Sequence, residues 1–226
     1  MSATTVLIVG ESGSGKSTSV ETLPPQETFV VNVACKALPY KSWKKNYTEL
    51  SKTNPTGNLL NSTDAAKILS TMEYVSASRP EIKYLIIEDN QYIAADYLMS
   101  KAKEIGYGKF TDAASMIYKI ATKGRTLRDD LFIFITNHQE EITDSGGKVK
   151  AKTAGKMIDN QITYEGLFTI VLFTQKEKKK DGTTEYCFIT NEDENSTAKS
   201  PKGMFETMKI PNDLMYVVTK IKEYES

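Results

Sequence analysis

VLIVGESGSGKST, residues 6–18, decides the fold. Val6-Leu7-Ile8-Val9 reads as the end of a short buried strand that begins at Thr5. The loop after it, Gly10-Glu11-Ser12-Gly13-Ser14-Gly15-Lys16-Ser17, satisfies GxxxxGK[ST] without a mismatch. Glycines let such a loop wrap with its N–H groups turned inward, and a helix starting near Lys16 would aim its positive end at the same point. Residues Gly10 to Thr18 are therefore expected to cradle the phosphates of ATP. Lys16 would reach the β- and γ-phosphates, and the Ser17 hydroxyl would be a Mg²⁺ ligand.

A phosphate loop of this kind needs acids at the end of a neighbouring strand. YLIIEDN, residues 84–90, supplies them as four apolar-run positions followed by Glu88-Asp89. Glu88 stands where an Asp is usual, and the residues alone leave open which acid serves the metal and which orients water. FIFITNHQ, residues 132–139, is a second buried run with a polar ending. If that strand neighbours the loop strand, His138 or a residue beside it is placed to sense the γ-phosphate.

Working outward, Thr28–Val33 reads as a strand and the segment from Lys16 to Pro24-Pro25 as a helix. Ser62-Thr63-Asp64 can cap a helix through about Ala77, with Ala65, Ile68, Leu69, Met72 and Val75 at helical spacing. Helical segments are expected at roughly 90–104 and 111–128, before the apolar strand 131–136. The pattern then changes. LFTIVLFT (167–174) and EYCFIT (185–190), joined across Asp181-Gly182, predict a β-hairpin, and Asn212 or Asp213 can cap a last helix. Strands alternating with helices predict an α/β parallel sheet flanked by helices, extended by a C-terminal hairpin. We expect one domain over 1–226, with a nucleotide-binding core at 1–136, a mobile loop at 137–164, and the hairpin and last helix at 165–226.

Composition limits the function. Lys+Arg and Asp+Glu each number 29, so any polyanion site must be a local patch. Only Arg79, Arg125 and Arg128 are arginines. Cys35 and Cys187 lie far apart and there is one histidine, which argues against a zinc site or a disulfide framework. No apolar run is long enough to span a membrane, and a cytoplasmic location is the expectation.

Taken together, GESGSGKST, IIEDNQY, TNHQEE, KTAGKMIDN (152–160) and STAKSPKGMF resemble the RecA-like P-loop ATPases of phages, specifically the short AAA-domain proteins of the single-strand annealing recombinase type. The resemblance spans most of the chain. It implies a Mg²⁺-dependent ATPase that assembles as a homo-oligomer, ring or filament, on single-stranded DNA with ATP between subunits, in the host cytoplasm if phage-encoded. It also implies that lysines of a neighbouring subunit replace an arginine finger, for which Lys152 and Lys156 are the candidates. The chain departs from the pattern at Glu88 and after its second strand. There NVACKAL stands where such ATPases tend to carry a catalytic Glu.

Two stretches could hold DNA. EITDSGGKVKAKTAGK follows the sensing strand, and KALPYKSWKKNY (36–47) interleaves Tyr40, Trp43 and Tyr47 with lysines. The latter equally suits an aromatic cluster packed on the domain edge. Alternatives to the recombinase are a nucleotide-binding switch or an AAA-type ATPase with no DNA role. A small-molecule kinase, which needs arginines in a lid, fits less well.

Overall fold

Apolar residues fill the strands on both faces, and the sheet they build is covered on both. In the computed structural model, which describes residues 2–142, 146–153, 155–160 and 162–226, β1 is Thr4–Gly10, β2 Thr28–Asn32, β3 Leu59–Asn61, β4 Tyr84–Glu88 and β5 Phe132–Glu141. Strand β6 is Val149–Ala151, β7 Ile170–Lys178, β8 Thr184–Ile189 and β9 Lys209–Pro211. They form a nine-stranded sheet in the order β3-β2-β4-β5-β1-β7-β8-β9, with β6 paired to β5. Pairs from β3 through β7 are parallel, whereas β8, β9 and β6 join antiparallel. The protein is thus α/β, with a mostly parallel sheet flanked by helices.

Alternation along the strands divides the core. Leu7, Val9, Phe29, Val31, Leu85, Ile87, Ile133 and Ile135 point to one face, beneath helices α2 (Ala65–Ser78), α3 (Gln91–Ser100) and α4 (Gly108–Thr122). Helix α2 begins where predicted, because the Asp64 carboxylate accepts from the N–H groups of Ala66 (2.8 Å) and Lys67 (3.2 Å). It ends at Ser78, since Pro80 disfavours helical geometry at Arg79. Val6, Ile8, Val30, Ile86 and Phe134 point to the other face, which helix α6 (Leu214–Glu225) covers with Leu214, Val217, Val218 and Ile221.

Three expectations are revised. The segment after the glycine loop is a 3-10 turn, Thr18–Thr22, and not an α-helix, because Leu23 is already extended and Pro24-Pro25 close it off. So few peptide dipoles add little positive potential at the loop. Next, residues 137–164 are not simply a loop. Strand β5 runs on to Glu141, β6 returns beside it, and α5 (Lys156–Asp159) follows. Last, Tyr40 and Tyr47 are buried edge-to-face at 5.8 Å, so two of the three aromatics offered for base stacking pack into the core, with the short helix α1 (Trp43–Asn46) between them. No helix among the described residues is long and apolar enough to cross a membrane.

Candidate functional site

Parallel register brings the predicted residues to one edge. At the carboxyl ends of the strands, Gly10 of β1 faces His138 of β5, and Asn32 of β2 faces Glu88 of β4. The chain leaving β1 crosses toward β2, and the chain leaving β5 crosses past β1 to β7. Crevices in open α/β sheets form where connections part in this way.

The glycine loop closes on its own lysine. Lys16 is 5% exposed, and its Nζ donates to the carbonyls of Gly10 (2.9 Å) and Glu11 (2.6 Å). No carboxylate among the described residues lies within 4.0 Å of that ammonium, and burial pushes its pKa down. Two glycines are sterically required. A Cβ on Gly10 would sit 1.8 Å from Thr174 Oγ1, and Gly15, at φ +99, lies against Tyr186 of β8 and Asn212. The Ser14 hydroxyl braces the loop by donating to Glu11 O (2.7 Å) and sharing a hydrogen bond with Thr174.

Beneath the loop the Ser17 hydroxyl donates to Glu88, which is 1% exposed. Burial pushes the Glu88 carboxyl up to about 7 despite that bond. Asp89, equally buried, has left-handed backbone (φ 59), and its N–H donates to Thr136 Oγ1 (2.8 Å) at the end of the apolar part of β5. Burial alone would raise its pKa, but hydrogen bonds from His138 and Lys36 prevail and hold it at about 2. His138 Nε2 lies 3.5 Å from Asp89 Oδ1, and the Lys36 ammonium is ion-paired with Asp89 Oδ2.

A cleft of about 380 Å³ results, lined by Ser12, Gly13, Gly15, Lys16, Ser17, Thr18, Asp89 and His138 from the predicted set. Glu11 and Ser14 face a separate cleft behind the loop, and Gln139 Nε2 donates to Glu11 (3.4 Å). Glu88 lies under Ser17 and not on the wall. Lys152 borders a neighbouring cleft with His138 and Tyr92. The Lys156 side chain lies outside the described residues. Lys150, in the segment offered for DNA, is already paired with Asp159 (2.7 Å) and Glu140 (3.3 Å). Residues 143–145 and 154 of that segment also lie outside the described residues.

Thr136, one of the polar strand-end residues of FIFITNHQ read as candidate γ-phosphate sensors, accepts instead from the Asp89 N–H, whereas Lys36, Thr174 and Tyr186 join the site from outside the expected set. Thr174 had a signal, since IVLFT is an apolar run ending in a hydroxyl. Lys36 had none, because its place depends on a turn that no periodicity reveals.

Whether the residues fit Mg²⁺ can be judged from the donor set. Among the described residues no cluster of three His, Cys, Asp or Glu side chains could hold a metal alone. Mg²⁺ in phosphate sites needs no such cage, because one or two carboxylates suffice beside the phosphate oxygens. A serine hydroxyl already bonded to a buried acid, with a second acid adjacent, fits that demand. No family model and no curated protein matches this chain.

Proposed function

We propose that the chain is a Mg²⁺-dependent ATPase of the RecA-like P-loop class that acts on single-stranded DNA in phage recombination, by annealing or strand pairing. The observation that carries the nucleotide part is Lys16. A nearly buried ammonium whose hydrogen bonds go to loop carbonyls alone, beside a serine–glutamate pair, is a site built for a polyanion with a metal. On ATP binding Lys16 would exchange loop carbonyls for β- and γ-phosphate oxygens. Mg²⁺, when bound, supplies charge neutralisation on those oxygens. Glu88, bonded to Ser17, belongs to the metal side of the site. Asp89, on the cleft wall with His138, is placed to orient the attacking water.

The DNA and assembly parts rest on the sequence resemblance and on what the fold leaves room for. Residues 165–190 are mainly β, with no helical lid of the kind an AAA+ remodeller carries. Arg79 and Arg128 bind backbone carbonyls at the opposite edge of the sheet, which disfavours a kinase lid. A neighbouring subunit's Lys152 or Lys156 would then complete the site in trans.

ATP turnover measured with single-stranded DNA, duplex and no DNA tests this reading. Stimulation by single strands, lost in Lys16→Ala with the melting curve intact, is the expected result. Lys156→Ala should lose the stimulation selectively. Wild-type turnover in Lys16→Ala would overturn the mechanism, and tight nucleotide binding without turnover would favour the switch.

A further inference from the structure

The turn after β2 is built around one lysine. Asn32, 1% exposed, donates from Nδ2 to the Lys36 carbonyl (2.7 Å) and to Asn61 Oδ1 (2.8 Å). Cys35 has left-handed backbone (φ 51), and its N–H returns to the Asn32 carbonyl (3.2 Å). Lys36 therefore leaves a fixed backbone and reaches Asp89, itself at φ 59. Of the described non-glycine residues, only Cys35, Ser42 and Asp89 have positive φ; Asp89 is a member of this ion pair and Cys35 directly precedes its other member. Unfavourable backbone persists where the surroundings over-determine it, and it gathers at functional sites.

The other cations narrow the choice. Arg79 is bound to Glu81 and to the carbonyls of Pro55, Thr56 and Gly57. Arg128 is bound to Asp130 and to the carbonyls of Val75, Ser76 and Ile82. Arg125 lies in the 3-10 turn Lys123–Thr126 that precedes β5, at the same far edge. The lysines that line the cleft are Lys16 and Lys36. They differ in kind, because Lys16 is buried in the loop, whereas the Lys36 side chain is 49% exposed on the wall.

We propose that Lys36 is a second phosphate-binding lysine, acting in cis on the terminal phosphate of ATP while it stays in contact with Asp89. The inference rests on the ATP reading above. An ammonium carries three donors, so it can hold a carboxylate and a phosphate oxygen together. For an acid of the Glu88-Asp89 pair to serve the metal or the attacking water, that pair must lie by the terminal phosphate. A lysine bound to Asp89 then lies there too. Where related ATPases tend to carry a catalytic Glu, this chain would carry a charge of the opposite sign, reading the phosphate and not activating the water.

Calorimetric titration with Mg²⁺ and either ADP or the non-hydrolysable triphosphate adenylyl imidodiphosphate tests this on wild type, Lys36→Ala, Lys36→Gln and Lys36→Arg. The first two variants should lose about tenfold or more in affinity for the triphosphate, with ADP affinity held within about twofold. Lys36→Arg should keep most of the triphosphate preference. If Lys36→Ala fails to fold, Lys36→Gln, which retains a donor for Asp89, decides the matter. Unchanged triphosphate affinity would overturn the proposal. So would equal losses for both nucleotides, which would make Lys36 a support of the loop. Wild type binding neither nucleotide would instead sink the ATP reading itself, and this inference with it.

Discussion

Glu88 and Asp89 are neighbours in sequence with opposite acid–base characters. Burial pushes Glu88 up to about 7 from an ordinary 4.5, and its partners hold Asp89 at about 2. Between pH 4.5 and about 7 the folded protein keeps a proton on Glu88 that the unfolded chain has released. Stability from this residue is therefore full below that window and falls as pH rises through it, by on the order of 3 kcal/mol. Glu88→Gln should melt above wild type at pH 8 and alongside it at pH 5. Equal melting temperatures at both values would contradict the assignment. Metal binding needs the ionised carboxylate, so Mg²⁺-dependent turnover should rise with pH toward 7 and above. For Asp89 the sign reverses, with stability lost only as pH falls below about 4.

Among the elements, α6 takes the place of the helix expected after the glycine loop. Thr18–Thr22 is too short to cover the second face, and the last twelve-residue helix does so from the far end of the chain, with Leu214 N–H donating to Thr22 Oγ1 (3.0 Å). Asp213 caps it by accepting from the Tyr216 N–H (3.0 Å). Asp213→Ala should cost about 1 kcal/mol, or about 2–4 °C in melting temperature. Ending the chain at residue 212 should uncover Val6, Ile8 and Phe134 and give insoluble protein. A melting curve unchanged in either variant would assign the cover to other residues.

Legibility of the elements follows from how each is specified. Strands β1, β2, β4, β5 and β7 stood out because a strand buried on both faces is an unbroken apolar run. The α2 cap was legible because Asp64 works through its own backbone neighbours. Strand β6 was not, since Val149-Lys150-Ala151 is set by its pairing with β5 and not by any local pattern. KALPYKSWKKNY pointed both ways, because interleaved lysines and aromatics suit stacking on bases or packing with the amines held outward. Burial of Tyr40 and Tyr47 favours packing. Site residues inside motifs came directly from the sequence, whereas Lys36 and Tyr186 enter only through tertiary approach.

At the scale of the whole molecule, one sheet threads both the first and last thirds of the chain. Strand β1 is flanked by β5 and β7, and the C-terminal strands continue from β7. Unfolding of the hairpin region would strip one edge of the loop strand, so the molecule should melt as one cooperative unit. Calorimetry should show a single transition that moves upward as a whole with Mg²⁺ and ATP. Two separable transitions, one insensitive to nucleotide, would divide the chain into units. Because acidic and basic residues balance, any contact with DNA on the proposed reading would have to come from local patches, and its salt dependence would count only those few lysines.

The two cysteines bear on how all of this can be watched. Cys35 is exposed, one residue from Lys36, and Cys187 is buried within the sheet. A maleimide dye should attach to the first and spare the second, so the native chain offers one labelling point in the turn that carries Lys36 without engineering. A fluorophore there would sense the Lys36 turn, and its emission could report binding in real time, subunit by subunit, in any assembly the protein forms.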